Sequence, residues 1–174
     1  MARTKKPIEY AAPEAPRTSV RDGFVLEVDE ETSRRMAGIR QKGTKPELIV
    51  RRVLRRLGVH YRLHNRDLPG SPDLANRRRK WVVFVHGCFW HRHPGCHLTT
   101  TPKRNREFWE AKFARNVERD RQRADELRAA GFEVVTVWEC ETRAPEVLGT
   151  RLQRELGGGQ SGSTTLPRKT TSCS

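Results

Sequence analysis

Trp81-Val82-Val83-Phe84-Val85 is an unbroken apolar run that stops at His86-Gly87-Cys88-Phe89-Trp90-His91. A short run rich in β-branched and aromatic residues reads as a buried strand, and the polar, His- and Cys-rich stretch after it reads as a loop. Upstream, Asn76-Arg77-Arg78-Arg79-Lys80 is a basic hairpin turn. Leu68-Pro69-Gly70-Ser71-Pro72-Asp73-Leu74 is a turn leading into another strand, and 59–63 reads as a third, short one. Before these, Thr44-Lys45-Pro46-Glu47 opens a helix, with Thr44 as cap, Pro46 in the first turn and Glu47 closing a capping box. Leu48, Ile49, Val53, Leu54 and Leu57 form its apolar face, and Gly58 ends it.

Downstream, a long helix is expected over 105–130, with Trp109, Phe113, Val117, Ala124 and Leu127 as its buried stripe. Gly131 stops it, 132–138 is a second buried strand, and a last helix covers 145–156. Helix, three strands, helix, strand, helix defines an α/β layered domain with a mixed sheet flanked by helices.

The chain has 174 residues, 34% of them hydrophobic, which suffices for one compact centre of roughly 110 to 120 residues. Residues 1–32 are rich in Pro, Ala and charge without a sustained period and read as a flexible basic arm. Residues 33–156 are the expected catalytic domain. Residues 157–174 read as a disordered tail holding Cys173 as an uncommitted thiol. No stretch approaches the length of a membrane span and no signal-peptide core is visible, so a cytoplasmic protein is expected. Lys and Arg total 35 against 21 Asp and Glu, a net charge of +14 that points to a polyanionic partner, nucleic acid first. In that compartment four cysteines suggest metal or catalysis before disulfides.

Cys88, His93 and Cys96 fall in a C-x4-H-x2-C loop directly after the strand, and Cys140 lies just past the last strand. Neighbouring strands would bring all four to one sheet edge, where thiolates and an imidazole suit a closed, structural zinc site. His91 and His97 compete with His93 as the nitrogen ligand, and ordinary buried cysteines are the alternative to a metal. Asp73, at a strand start, is placed to hold Mg²⁺, with the main-chain carbonyl of Val85 as a second oxygen. Glu47, His86 and His91 are the polar groups expected near the same edge, which suggests metal-assisted phosphodiester hydrolysis. Turn stabilisation is the plain alternative for Asp73, and helix capping for Glu47.

Several motifs resemble those of very short patch repair DNA mismatch endonucleases. They are Met36, Leu68-Pro69-Gly70-x-Pro72-Asp73, Phe84-Val85-His86-Gly87-Cys88-Phe89-Trp90-His91, Phe108-Trp109, Asn116-Val117-Glu118-Arg119-Asp120 and Val137-Trp138-Glu139-Cys140. The likeness runs in unbroken order from about Ser33 to Arg143. It implies a divergent branch of the PD-(D/E)XK restriction-endonuclease-like fold. It also implies nicking on the 5′ side of the thymine in a T:G mismatch, the product of 5-methylcytosine deamination. By the resemblance Asp73 binds Mg²⁺, His91 is the general base, His86 and Glu47 hold metal-bound water or phosphate, and Cys88, His93, Cys96 and Cys140 bind Zn²⁺. The second acid and the lysine usual in that fold are missing, since Val83, Phe84 and Val85 stand there. A histidine must then move the proton, which suits a group titrating near neutrality.

Phe89 and Trp90, consecutive aromatics in a polar loop, are candidates to wedge into the base stack, which costs least at a mispair. The resemblance adds Met36 and Trp109 as stacking partners and Asn116 as a DNA contact. The spacing of Trp109 with Phe113 equally fits a core residue. Arg77, Arg78, Arg79, Lys80, Lys103, Arg104 and Arg106 are candidate phosphate contacts. The expected partners are duplex DNA with a T:G mismatch and mismatch-repair proteins, with the chain a monomer working at the bacterial nucleoid. A zinc-stabilised binding module without chemistry and a nuclease of other specificity are the competing readings.

Overall fold

The structure, a computed structural model, describes residues 17–28, 30–39 and 42–157. The C-terminal tail with Cys173, and the first half of the N-terminal arm, lie outside the described residues. Strands β1 (Arg17–Arg21) and β2 (Phe24–Val28) form a hairpin, followed by helices α1 (Glu30–Ala37) and α2 (Lys45–Arg56). Then come β3 (Leu74–Asn76), β4 (Trp81–His86), a single turn of helix α3 (Cys88–His91) and the long α4 (Arg106–Ala129). Strand β5 (Glu133–Trp138), a 3-10 turn (Glu139–Arg143) and α5 (Pro145–Gly157) complete the chain.

The central sheet is mixed, in the order β3-β4-β5. β3 runs antiparallel to β4 through the basic turn, whereas β4 and β5 are parallel, in a register that sets His86 opposite Trp138. Parallel neighbours need a crossover, and α4 supplies it. Because β4 alternates, its odd residues face one layer and its even residues the other. Trp81 and Val83 join Val135 and Val137 under α2 and α5, packed on Val50, Val53, Leu54, Leu148, Leu152 and Leu156. Val82 faces the opposite way and clusters with Ala75, Leu127 and Phe132, with Phe84 packed against them. Both faces are covered, which is why β4 reads as continuous apolar sequence.

Four details depart from the sequence reading. The strand expected at 59–63 contracts to one bridge, Arg62 with Ala75, because β3 offers only three residues to pair with. On α2 the buried face is carried by Val50, Val53 and Leu54, while Leu48 is 50% exposed. On α4 Phe108, Phe113 and Leu127 are buried, and Val117 points to solvent. Residues 17–28, inside the segment read as a featureless arm, form the β1–β2 hairpin around a turn at Asp22 and Gly23 with positive φ of 50° and 80°. Beyond buried Leu26, its contacts run to Asn105, Phe108 and Arg115 far along the chain, so the local pattern carries little strand signal. Gly70 is obligatory: at φ +71°, an added Cβ would lie 3.0 Å from Cβ of Arg123 and 3.2 Å from the Phe84 ring. That close approach seats the turn carrying Asp73 against the sheet.

Candidate active site and metal centre

The parallel pairing of β4 and β5 makes both strands end at one edge, and the chemistry gathers there. Cys88 follows β4 and Cys140 follows β5. The His93 Nδ1 lies 3.3 Å from Cys140 Sγ and 3.7 Å from Cys88 Sγ. With Cys96, these four donor atoms all fall within 4.8 Å of one another. His93 is thus the nitrogen at this cluster. Its ring stacks on Trp138 at 4.4 Å and 11°, which fixes its plane. His91 turns instead to Asp120, and the exposed His97 lies beside Arg143. The loop is tied down further by the Cys88 N–H, which donates to Glu139 at 3.3 Å. Burial pushes the Cys88 thiol up to about 12 and raises Cys140, whereas the Leu98 main-chain N–H lowers Cys96. Three soft sulfur donors and one imidazole, converging with no disulfide between them, fit a tetrahedral metal centre.

A second group of residues lines the cleft beside this edge. Asp73, just ahead of β3, accepts a hydrogen bond from the Val85 N–H at 2.7 Å, so the carboxylate lies against the β4 backbone. Burial pushes its pKa up to about 6, with the Val85 hydrogen bond opposing and the nearby Glu47 charge adding to the rise. The Glu47 carboxylate accepts from the main-chain N–H groups of Gly43 and Thr44, the Thr44 hydroxyl and Arg51. Capping thus engages both of its oxygens, and its charge reaches Asp73. His86 and His91 stack in parallel at 3.9 Å and 9°. Burial, helped by the His91 charge, lowers the His86 pKa to about 4, so it is neutral at physiological pH.

Asp120 completes this arrangement. Its carboxylate is hydrogen-bonded to the His91 Nδ1, and Arg119 flanks it at 3.8 Å. Burial alone would raise the Asp120 pKa, but the His91 hydrogen bond together with the charges of His91, His86 and Arg119 outweighs it and holds the group below its ordinary value. An acceptor at Nδ1 fixes the tautomer that leaves the His91 Nε2 lone pair free, which is what a general base needs. Asp120 ends the helix motif Asn116-Val117-Glu118-Arg119-Asp120, yet its distance of 29 residues from His91 leaves no local signal of the pairing.

Aromatic side chains continue the wall. Trp90 and Trp109 line the cleft together with Met36, and their rings lie 6.0 Å apart. Phe89 packs edge-on against Trp90 at 4.9 Å and Phe113 at 5.1 Å, buttressing the pair. Trp109 is half-buried: it packs on Phe113 at 5.7 Å and still opens to the cleft. The Asn116 amide donates to the Trp90 carbonyl at 3.2 Å, so it braces the loop. Of the basic candidates, Lys103 and Arg104 line the cleft. The turn at 77–80 lies at the start of β4, about 17 Å from the end that carries His86. There Arg77 pairs with Asp67 and Lys80 covers the Phe132 ring at 4.6 Å.

A carboxylate laid against a strand end, a carboxylate-held histidine and a basic, aromatic-lined cleft fit a nuclease on a mixed α/β sheet. A family profile described as DNA mismatch endonuclease Vsr matches residues 27–97. The chain is 42% identical over 121 residues to the type II nicking enzyme V.XorIIP of Xanthomonas oryzae, covering 70% of this chain and 88% of that one. It is 42% identical over 119 residues to the type II nicking enzyme V.NmeAIP of Neisseria meningitidis, covering 68% and 84%. To the DNA mismatch endonuclease Vsr of Escherichia coli it is 39% identical over 116 residues, covering 67% and 74%. The chain belongs to the Vsr family and is an endonuclease. No helix among the described residues is long and apolar enough to cross a membrane.

Proposed function

We propose that the protein nicks duplex DNA on the 5′ side of the thymine of a T:G mismatch, by metal-assisted hydrolysis on a PD-(D/E)XK-type core spanning 33–156. The observation that carries this is the shared cleft: Asp73, the His91–Asp120 pair, and Trp90, Trp109 and Met36 all line it. Asp73 and the Val85 carbonyl would hold a Mg²⁺ ion, which when bound polarises the scissile phosphate and lowers the pKa of water. His91 Nε2 accepts the proton of the attacking water, while Asp120 keeps the ring in the required tautomer. The uncharged His86, stacked on His91, lets that ring take a proton without a second cation beside it. Cys88, His93, Cys96 and Cys140 would hold Zn²⁺ and so keep the loop that carries Phe89, Trp90 and His91 in shape.

The aromatic wall supports mismatch recognition, because a mispaired step is the cheapest to unstack. The Escherichia coli relative, a DNA mismatch endonuclease, points the same way. The relatives named type II nicking enzymes favour a second reading, a nickase of other specificity. A monomer suits one nick per event, in a cytoplasmic setting at the nucleoid, with mismatch-repair proteins as further partners. The deciding experiment is nicking of an end-labelled duplex in Mg²⁺, T:G against fully paired, by the parent, Asp73→Ala and His91→Ala. The parent is expected to cut only the T:G duplex, and both variants to be inactive. Equal cutting of the paired duplex would replace the mismatch reading by the second one, and unchanged variants would remove the assigned chemistry.

A further inference from the structure

The β1–β2 hairpin has two unlike faces. Leu26 is buried on the inner one, where Phe24 also meets the Phe108 ring edge-on at 5.9 Å. The register sets Arg21 opposite Phe24 and Val20 opposite Val25. Arg21 therefore shares the inner face, and the exposed valines share the outer one. Two sets of contacts dock the hairpin on α4. The Asn105 side chain donates to the Glu27 carbonyl at 2.9 Å and accepts from its N–H at 3.1 Å, as a neighbouring strand would. At the turn, Arg115 donates to Asp22 at 2.7 Å.

Docked in this way, Arg21, Leu26, Glu27 and Val28 line the same cleft as Trp90, Trp109 and Lys112. The Lys112 ammonium sits over Trp109 at 5.1 Å, Trp90 at 5.3 Å and Phe108 at 5.7 Å. Burial lowers its pKa, and the charges of Arg21 and Arg115 lower it further, against the opposing pull of Asp22. Asp22 is already engaged by Arg115, and Glu27 faces Arg104 at 3.8 Å. Neither Arg21 nor Lys112 has a carboxylate partner among the described residues. Like charges held together beside a cleft disfavour the free state and favour an entering polyanion.

We propose that the β1–β2 hairpin is a DNA-contacting wall of the cleft, in which Arg21, with Lys112 of α4, seats a backbone phosphate of the duplex beside Trp90 and Trp109. The proposal rests on the DNA endonuclease reading and adds a contact to it. A phosphate contact positions the duplex without reading its bases, so its signature is salt dependence. The test is fluorescence anisotropy of T:G and fully paired duplexes with the full chain, from about 50 to about 200 mM salt. Arg21→Ala should lower the slope of log affinity against log salt by about 0.9, so that over this range the parent's affinity falls roughly threefold more than the variant's. Arg21→Lys should keep the parent slope, as should Val20→Thr on the outer face, and the preference for T:G should be equal in all four proteins. An Arg21→Ala slope equal to the parent's would overturn the hairpin contact alone. An Arg21→Lys slope as shallow as that of Arg21→Ala would also overturn it, by making the role of Arg21 structural. A parent that binds neither duplex would overturn the DNA reading together with the proposal.

Discussion

Replacing Asp73 by Asn should stabilise the protein at neutral pH while abolishing nicking. The carboxyl pKa is raised from 3.8 to about 6, first by burial. For an acid whose folded pKa lies above its unfolded value, the native state binds the proton more tightly. The native state is therefore unpenalised below the unfolded pKa. The penalty grows as pH rises between the two values and is complete above the folded one. A shift of about two units corresponds to about 3 kcal/mol, and residual contact with cleft water reduces this to about 1–3 kcal/mol. The Asn amide oxygen can still accept the Val85 N–H, so the comparison isolates the charge. Urea unfolding of both proteins at about pH 4.5 and about pH 7.5, in magnesium-free buffer without chelator, measures the difference. Any acid loss of thiolate-bound metal occurs in both proteins and cancels. The advantage of Asp73→Asn should be small at the lower pH and reach its full size at the higher. Adding Mg²⁺ should then raise the melting temperature of the parent only. A pH-independent difference, or a less stable Asn variant at the higher pH, would refute the reasoning.

Four further outcomes are expected. Asp120→Asn should slow single-turnover nicking by about 10²- to 10³-fold with DNA affinity unchanged, because it releases the His91 tautomer and leaves the binding wall intact; a loss of affinity in its place would contradict that role. Cys140→Ser should hold less zinc than the parent by elemental analysis and have a lower thermal transition, since a structural zinc ion would contribute directly to folding; metal content equal to the parent's would remove Cys140 from the centre. Leu54→Ala, at a fully buried position, should cost about 2–5 kcal/mol in urea unfolding. Leu48→Ala, half exposed on the same helix, should stay within about 0.5 kcal/mol of the parent.

The sequence by itself was enough for α2, α4, α5, β4 and β5, since each carries its own period, caps or unbroken apolar run. It was also enough for family membership, because the motifs from Leu68 to Cys140 are long and ordered. Tertiary structure decided what depends on partners distant in the chain. Apolar spacing on α2 admits either Leu48 or Val50, and only the position of α5 and the sheet buries Val50 and exposes Leu48. The identity of the nitrogen at the thiol cluster follows from the parallel β4–β5 register, which brings Cys140 to His93 and leaves His91 for Asp120. The hairpin at 17–28 is held by Asn105, 78 residues from Glu27, and no local pattern announces a contact of that span. Short-range spacing carries periodicity; which charges and donors meet is settled by the crossover of α4 over a parallel pair.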